Sequence, residues 1–99
     1  MARLRIALVE DQPLYRDMLA GLLRAVPDFD LVAAVSSAAE AADFPRDLDV
    51  ALLDITLPDG DGIEVGRGLQ ERQSSLSIVL LSAVDRLNTL LDVPEEQRR

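Results

Sequence analysis

Four short apolar runs punctuate the chain: Ile6 to Val9, Leu31 to Val35, Val50 to Ile55 and Ile78 to Leu81. Each has the length of a strand and is nearly continuous rather than alternating, as expected of strands covered on both faces. Between the runs the periodicity becomes helical. Pro13 suits the first position of a helix, and Leu14, Met18, Leu19, Leu22 and Leu23 then recur at helical spacing. They predict one apolar face, with Arg16, Asp17 and Arg24 turned away and Pro27 ending the helix. Ser37 to Ala42 predicts a short helix before Phe44-Pro45, capped by Ser36 or Ser37. Gly62 to Gln73 predicts a third, in which Gly66 and Gly68 lower the intrinsic propensity and mark close packing against the sheet. Arg86 to Asp92 places Leu87, Leu90 and Leu91 on one face of a fourth, and Pro94 stops it.

The resulting order βαβαβαβα predicts an α/β fold, a doubly wound parallel sheet with right-handed crossovers. Ligands of such sheets gather at the carboxyl ends of the strands. A chain of 99 residues has room for one hydrophobic core, so residues 1–99 are read as a single domain. With 48% hydrophobic and 28% charged residues it has the composition of a folded globular protein. Aromatics are limited to Tyr15, Phe29 and Phe44, which leaves the core to Leu, Val, Ile and Ala. Tyr15, early in the first helix, is expected to be partly buried and has no assigned role.

Charge narrows the function. The formal net charge of -8 repels polyphosphate backbones and anionic lipid, which argues against direct nucleic-acid or membrane binding by this segment. There is no cysteine, so disulfides, thiolate metal sites and Cys nucleophiles are excluded together. Every basic side chain is Arg; Lys does not occur. The apolar stretch before Glu10 is too short for a signal peptide or a membrane span, and a cytoplasmic location is expected.

Glu10 and Asp11 follow the first run, and Asp54 ends the Val50-Ala51-Leu52-Leu53 run. In the expected fold these carboxylates converge at one edge of the sheet. Clustered without a cation they repel one another and raise each other's pKa. A hard divalent ion removes that cost, and Mg2+ takes a few oxygen ligands while leaving room for phosphate oxygens. The pattern therefore points to a Mg2+-assisted phosphoryl site. The plainer alternative has Glu10 and Asp11 capping the following helix electrostatically and Asp54 beginning a turn. Favouring the first is an apolar setting unsuited to an idle carboxylate, followed by Pro58, Gly60 and Gly62, which permit a tight phosphate-facing loop.

Three elements together, Glu10-Asp11 followed by Pro13, Asp54 through Gly62, and Ser82-Ala83 after a Val-Leu-Leu strand, resemble the CheY-like receiver domain, with wording closest to NarL-type regulators. The resemblance runs from Arg5 to about Leu91. It implies a flavodoxin-like sheet of order 2-1-3-4, truncated before a fifth strand. It also implies that Asp54 is the phosphoacceptor, that Asp11, Asp54 and the backbone carbonyl of Thr56 hold Mg2+, and that Glu10 does so directly or through a water. Ser82 would be the switch hydroxyl. The implied phosphodonor is a sensor histidine kinase and the implied output is transcriptional control, with DNA reached only through a C-terminal helix-turn-helix domain beyond this segment. A weak carboxylate nucleophile needs charge neutralisation and alignment more than it needs a base.

Receivers of this type carry a fifth-strand Lys that contacts the phosphoryl group, and none is present here. A second reading follows, a receiver-fold interaction module impaired in phosphorylation. An aspartyl-phosphate hydrolase of the haloacid-dehalogenase type is disfavoured, because it needs Asp where this chain has Thr56, and a Lys. On the receiver reading the protein is a signalling domain rather than an enzyme. Without a fifth strand, Ile78 to Leu81 becomes an unblunted edge, which predicts a homodimer; the alternative is refolding of Asn88 to Arg99 over the gap.

Overall fold

In a computed structural model that describes residues 3–81, the apolar runs form the expected sheet. The elements are β1 (Leu4–Val9), α1 (Pro13–Arg24), β2 (Phe29–Val35), α2 (Ala38–Ala41), β3 (Val50–Asp54), β4 (Thr56–Leu57), β5 (Gly60–Asp61), α3 (Gly62–Arg72) and β6 (Ser77–Leu81). The main sheet is parallel, in the order β2-β1-β3-β6, which is the anticipated 2-1-3-4 once the small antiparallel β4-β5 hairpin is set apart. The expected helix over Arg86 to Asp92, Ser82 and the segment Asn88 to Arg99 lie outside the described residues.

β1 and β3 are the central strands, and their register sets Val9 beside Leu53. Alternate residues divide between the two faces. Ala7, Val9, Ala51 and Leu53 join Ala41, Phe44, Leu48, Leu57, Leu69 and Leu76 in one buried cluster on the side of α2 and α3. Leu8 is fully buried between these positions. Each such leucine contributes about 1.5–3 kcal/mol relative to exposure.

Gly66 explains how α3 approaches the sheet. A Cβ there would lie 3.2 Å from Ile78 and 3.3 Å from Leu53, so the helix packs closely here, and a larger residue would make these side chains shift by a few tenths of an ångström. Gly68 differs from expectation: nothing lies within 4 Å of its Cβ position, and it plays no part in the packing.

The apolar face anticipated for α1 needs correction. Leu14 is 82% exposed, and Met18 and Leu22 are exposed with it, while the helix turns Ala20, half-buried Leu19 and Leu23, and Arg16 inward. Small Ala20 lets the helix lie close, and Arg16 reaches a backbone carbonyl at the end of β1. The helix ends at Arg24, before Pro27, and Tyr15 is half-buried as expected.

Candidate functional site

The site is built where β1 and β3 end side by side. Glu10 and Asp11 continue from β1, and Asp54 is the last residue of β3. One carboxylate oxygen from each of the three lies within 4.8 Å of the others. Adjacent parallel strands in register can do this because both carboxyl ends emerge at the same edge of the sheet.

Several contacts hold the three residues. Glu10 is 6% exposed, and its Oε1 accepts from the backbone N–H of Gln12 at 3.4 Å. Its backbone N–H donates to Val35 O at 3.0 Å, and its carbonyl accepts from the Arg16 guanidinium at 2.9 Å. Asp54 Oδ1 accepts from the backbone N–H of Thr56 at 3.2 Å. Behind Asp54, the Gly62 N–H donates to Ile55 O at 2.8 Å. A Cβ on Gly62 would stand 2.0 Å from the Asp54 carbonyl oxygen. Only glycine allows this approach, so Gly62 shapes the loop as the sequence suggested.

Electrostatically the cluster is strained. Asp54 is pushed up to about 7, first by burial and then by its contact with Asp11 and the charge of Glu10, against the lowering effect of the Thr56 N–H. Among the described residues the ion pairs join Arg5 to Asp30 and Asp47, and Arg67 to Glu64; none reaches the cluster. Two uncompensated acids therefore favour a proton on the third. The donor set is all oxygen and of one charge, which suits a hard divalent cation that would replace that proton.

The structure thus brings together Glu10, Asp11 and Asp54, with Thr56 two residues on. Ser82 lies outside the described residues, one position beyond β6, whose Leu81 pairs with Asp54. Sequence reasoning missed three supports: Arg16 on the Glu10 carbonyl, Asp61 capping α3 by accepting from Ile63 N at 2.7 Å, and Asp59 on the start of α2. For Asp61 a signal existed, an Asp immediately before the helix.

Comparison with known proteins identifies the family. The family model for the response regulator receiver domain matches residues 6–96. The DNA-binding transcriptional activator DevR/DosR of Mycobacterium tuberculosis is 40% identical over 90 residues, covering 89% of this chain and 42% of that protein. A protein-glutamate methylesterase/protein-glutamine glutaminase of Methanospirillum hungatei is 29% identical over 89 residues, covering 88% of this chain and 25% of its own length. Among solved structures, the signal receiver domain of the response regulator NarL from Mycobacterium tuberculosis superposes with a TM-score of 0.71 at 26% identity, covering 84% of this chain and 68% of that one. The chain thus spans less than half the length of these two relatives.

Proposed function

The chain belongs to the response regulator receiver domain family, and on that premise we propose that residues 1–99 form a receiver domain that accepts a phosphoryl group on Asp54. The observation that carries this reading is the convergence of Glu10, Asp11 and Asp54 at two adjacent strand ends, with no arginine paired to them among the described residues. Asp11, Asp54 and the Thr56 backbone carbonyl are the proposed Mg2+ ligands, with Glu10 acting directly or through a water. When bound, Mg2+ would supply positive charge against the phosphoryl oxygens.

The chain's own residues do the rest. An Asp54 carboxylate oxygen forms a bond to phosphorus in line with the breaking P–N bond of a phosphohistidine. The electron pair of that bond leaves on the imidazole nitrogen, and an acyl phosphate remains. Asp54 must be deprotonated to attack; its value of about 7 is raised first by burial and then by Asp11 and Glu10, and a cation held among the three carboxylates would favour the ionised form. Ser82 is the proposed hydroxyl that follows the phosphoryl group.

A sensor histidine kinase is the proposed donor, and the output is proposed to run through a DNA-binding segment of the kind named in DevR/DosR. A receiver is a signalling domain; the methylesterase relative shows that receivers are also joined to enzymes, and we assign this chain to the non-enzymatic group. No helix among the described residues is long and apolar enough to cross a membrane, in keeping with a proposed cytoplasmic location. β6 leaves Val79 and Leu80 exposed, which supports self-association as a homodimer.

Acetyl phosphate with Mg2+, read by intact mass, tests the assignment. One phosphoryl group should add to the wild type and none to Asp54→Asn. Labelling of that variant would move the acceptor elsewhere. No labelling of the wild type would favour a receiver-fold interaction module.

A further inference from the structure

The loop after the acceptor carries a contact that the chemistry above does not use. β4 and β5 pair Thr56 with Asp61 and Leu57 with Gly60, so Pro58 and Asp59 form the tip of a very short hairpin. Leu57, in the pair next to the tip, packs into the buried cluster. The tip is fastened to a different element: the two Asp59 carboxylate oxygens accept from the backbone N–H groups of Ala38 and Ala39, at 2.8 and 3.0 Å. These are the first N–H groups of α2, which have no partner within the helix.

Neighbouring details leave those two donors to Asp59. Ser37 caps α2 through the Glu40 N–H at 3.2 Å, while Glu40 Oε1 accepts from the hydroxyls of Ser36 at 2.7 Å and Ser37 at 3.0 Å. Gly60 stands against the same helix, where an added Cβ would lie 3.3 Å from that of Ala38. The two N–H donors hold the Asp59 carboxyl below its usual range, as a charged acceptor in two short hydrogen bonds requires.

A hairpin with strands this short is marginal by itself, so its conformation depends on what fastens it. We infer that Asp59 is a positioning residue. By latching the hairpin tip to α2 it fixes the backbone at Thr56, both the carbonyl proposed as a Mg2+ ligand and the N–H that bonds Asp54. The inference rests on the Mg2+ site proposed above. It assigns Asp59 no contact with metal or phosphate, and it makes loop order a condition of metal affinity.

Calorimetric titration of the full chain with MgCl2 tests it, using the wild type, Asp59→Ala, Asp59→Asn and Ser37→Ala. Asp59→Ala should weaken Mg2+ binding by roughly threefold to tenfold, at or below the loss usual when a group supporting a ligand is removed. Asp59→Asn keeps one acceptor oxygen for two donors and should fall between. Ser37→Ala loosens α2 while keeping both hairpin bonds, and should bind Mg2+ as the wild type does. Equal affinity in wild type and Asp59→Ala overturns the inference and leaves the site assignment standing. Equal losses in Asp59→Ala and Ser37→Ala also overturn it, since helix stability would then explain both. A wild type that binds no Mg2+ overturns the site assignment and the inference together. Should Asp59→Ala not fold, Asp59→Asn decides: faster exchange of the Thr56 amide with weaker Mg2+ binding supports the latch, and unchanged exchange refutes it.

Discussion

The two ends of the sheet carry similar charge and treat it in opposite ways. At the amino ends of the strands, Arg5 lies among acids: its guanidinium is 3.8 Å from Asp30 and 3.2 Å from Asp47, and its backbone N–H donates to Asp49 at 2.8 Å. At the carboxyl ends, Glu10, Asp11 and Asp54 crowd together with no ion pair to their carboxylates among the described residues, the Arg16 guanidinium donating to the Glu10 backbone carbonyl instead. The first arrangement is closed and structural. The second is stable only by holding a proton or a cation, and this difference marks one end of the same sheet as the site of chemistry.

The largest way to break the comparison is to disturb the backbone that shapes the carboxyl end. Gly62→Ala forces a Cβ to 2.0 Å from the Asp54 carbonyl oxygen, and it should cost about 3 kcal/mol, the upper part of the overpacking range. Urea unfolding measures this; a stability near wild type would show that the loop relaxes freely.

Acidity comes next in size. Asp54 has a raised pKa of about 7 against an ordinary 3.8, so the native state prefers it protonated. That stabilisation is complete below the ordinary value and is lost as pH rises through about 7. Without divalent ions the melting temperature should therefore fall between about pH 4 and 7, and saturating Mg2+ should flatten the slope. A metal-free melting temperature independent of pH would contradict the strain at this end.

Removing one charge should act in the same direction more weakly. Asp11→Asn is expected to raise the metal-free melting temperature at neutral pH by a few degrees, roughly the effect of 1 kcal/mol in a domain of this size. It should also abolish the rise on adding Mg2+, which scanning fluorimetry would follow. A retained Mg2+ response would remove Asp11 from the ligand set.

At the opposite end the effect should be smallest. Arg5→Gln breaks exposed ion pairs and should cost less than about 1 kcal/mol, with the Mg2+ response unchanged. Any loss of Mg2+ response in this variant would mean that the two ends are not independent.

Much of this was legible before folding. Continuous apolar runs identify β1, β2, β3 and β6, the pattern of a parallel sheet, although β6 leaves Val79 and Leu80 exposed. The position of Glu10-Asp11 and Asp54 at the ends of such runs places three acids at one edge, since parallel strands share their carboxyl ends. A serine cap of α2 was also readable, as Ser36 or Ser37, from a local pattern satisfied within four residues, and the structure makes it Ser37. Tertiary structure decided the rest. Periodicity shows how wide the apolar stripe of α1 is but not which part meets the sheet, and Arg16 turned inward while Leu14 did not. The β4-β5 hairpin is too short to leave a periodic trace. Asp59 meets Ala38 and Ala39 across 21 and 20 residues of sequence, and such a bond exists only after the sheet has brought the two loops together. The types of groups at the strand ends follow from residue order, whereas the orientation that makes them a site depends on contacts between segments distant in the chain.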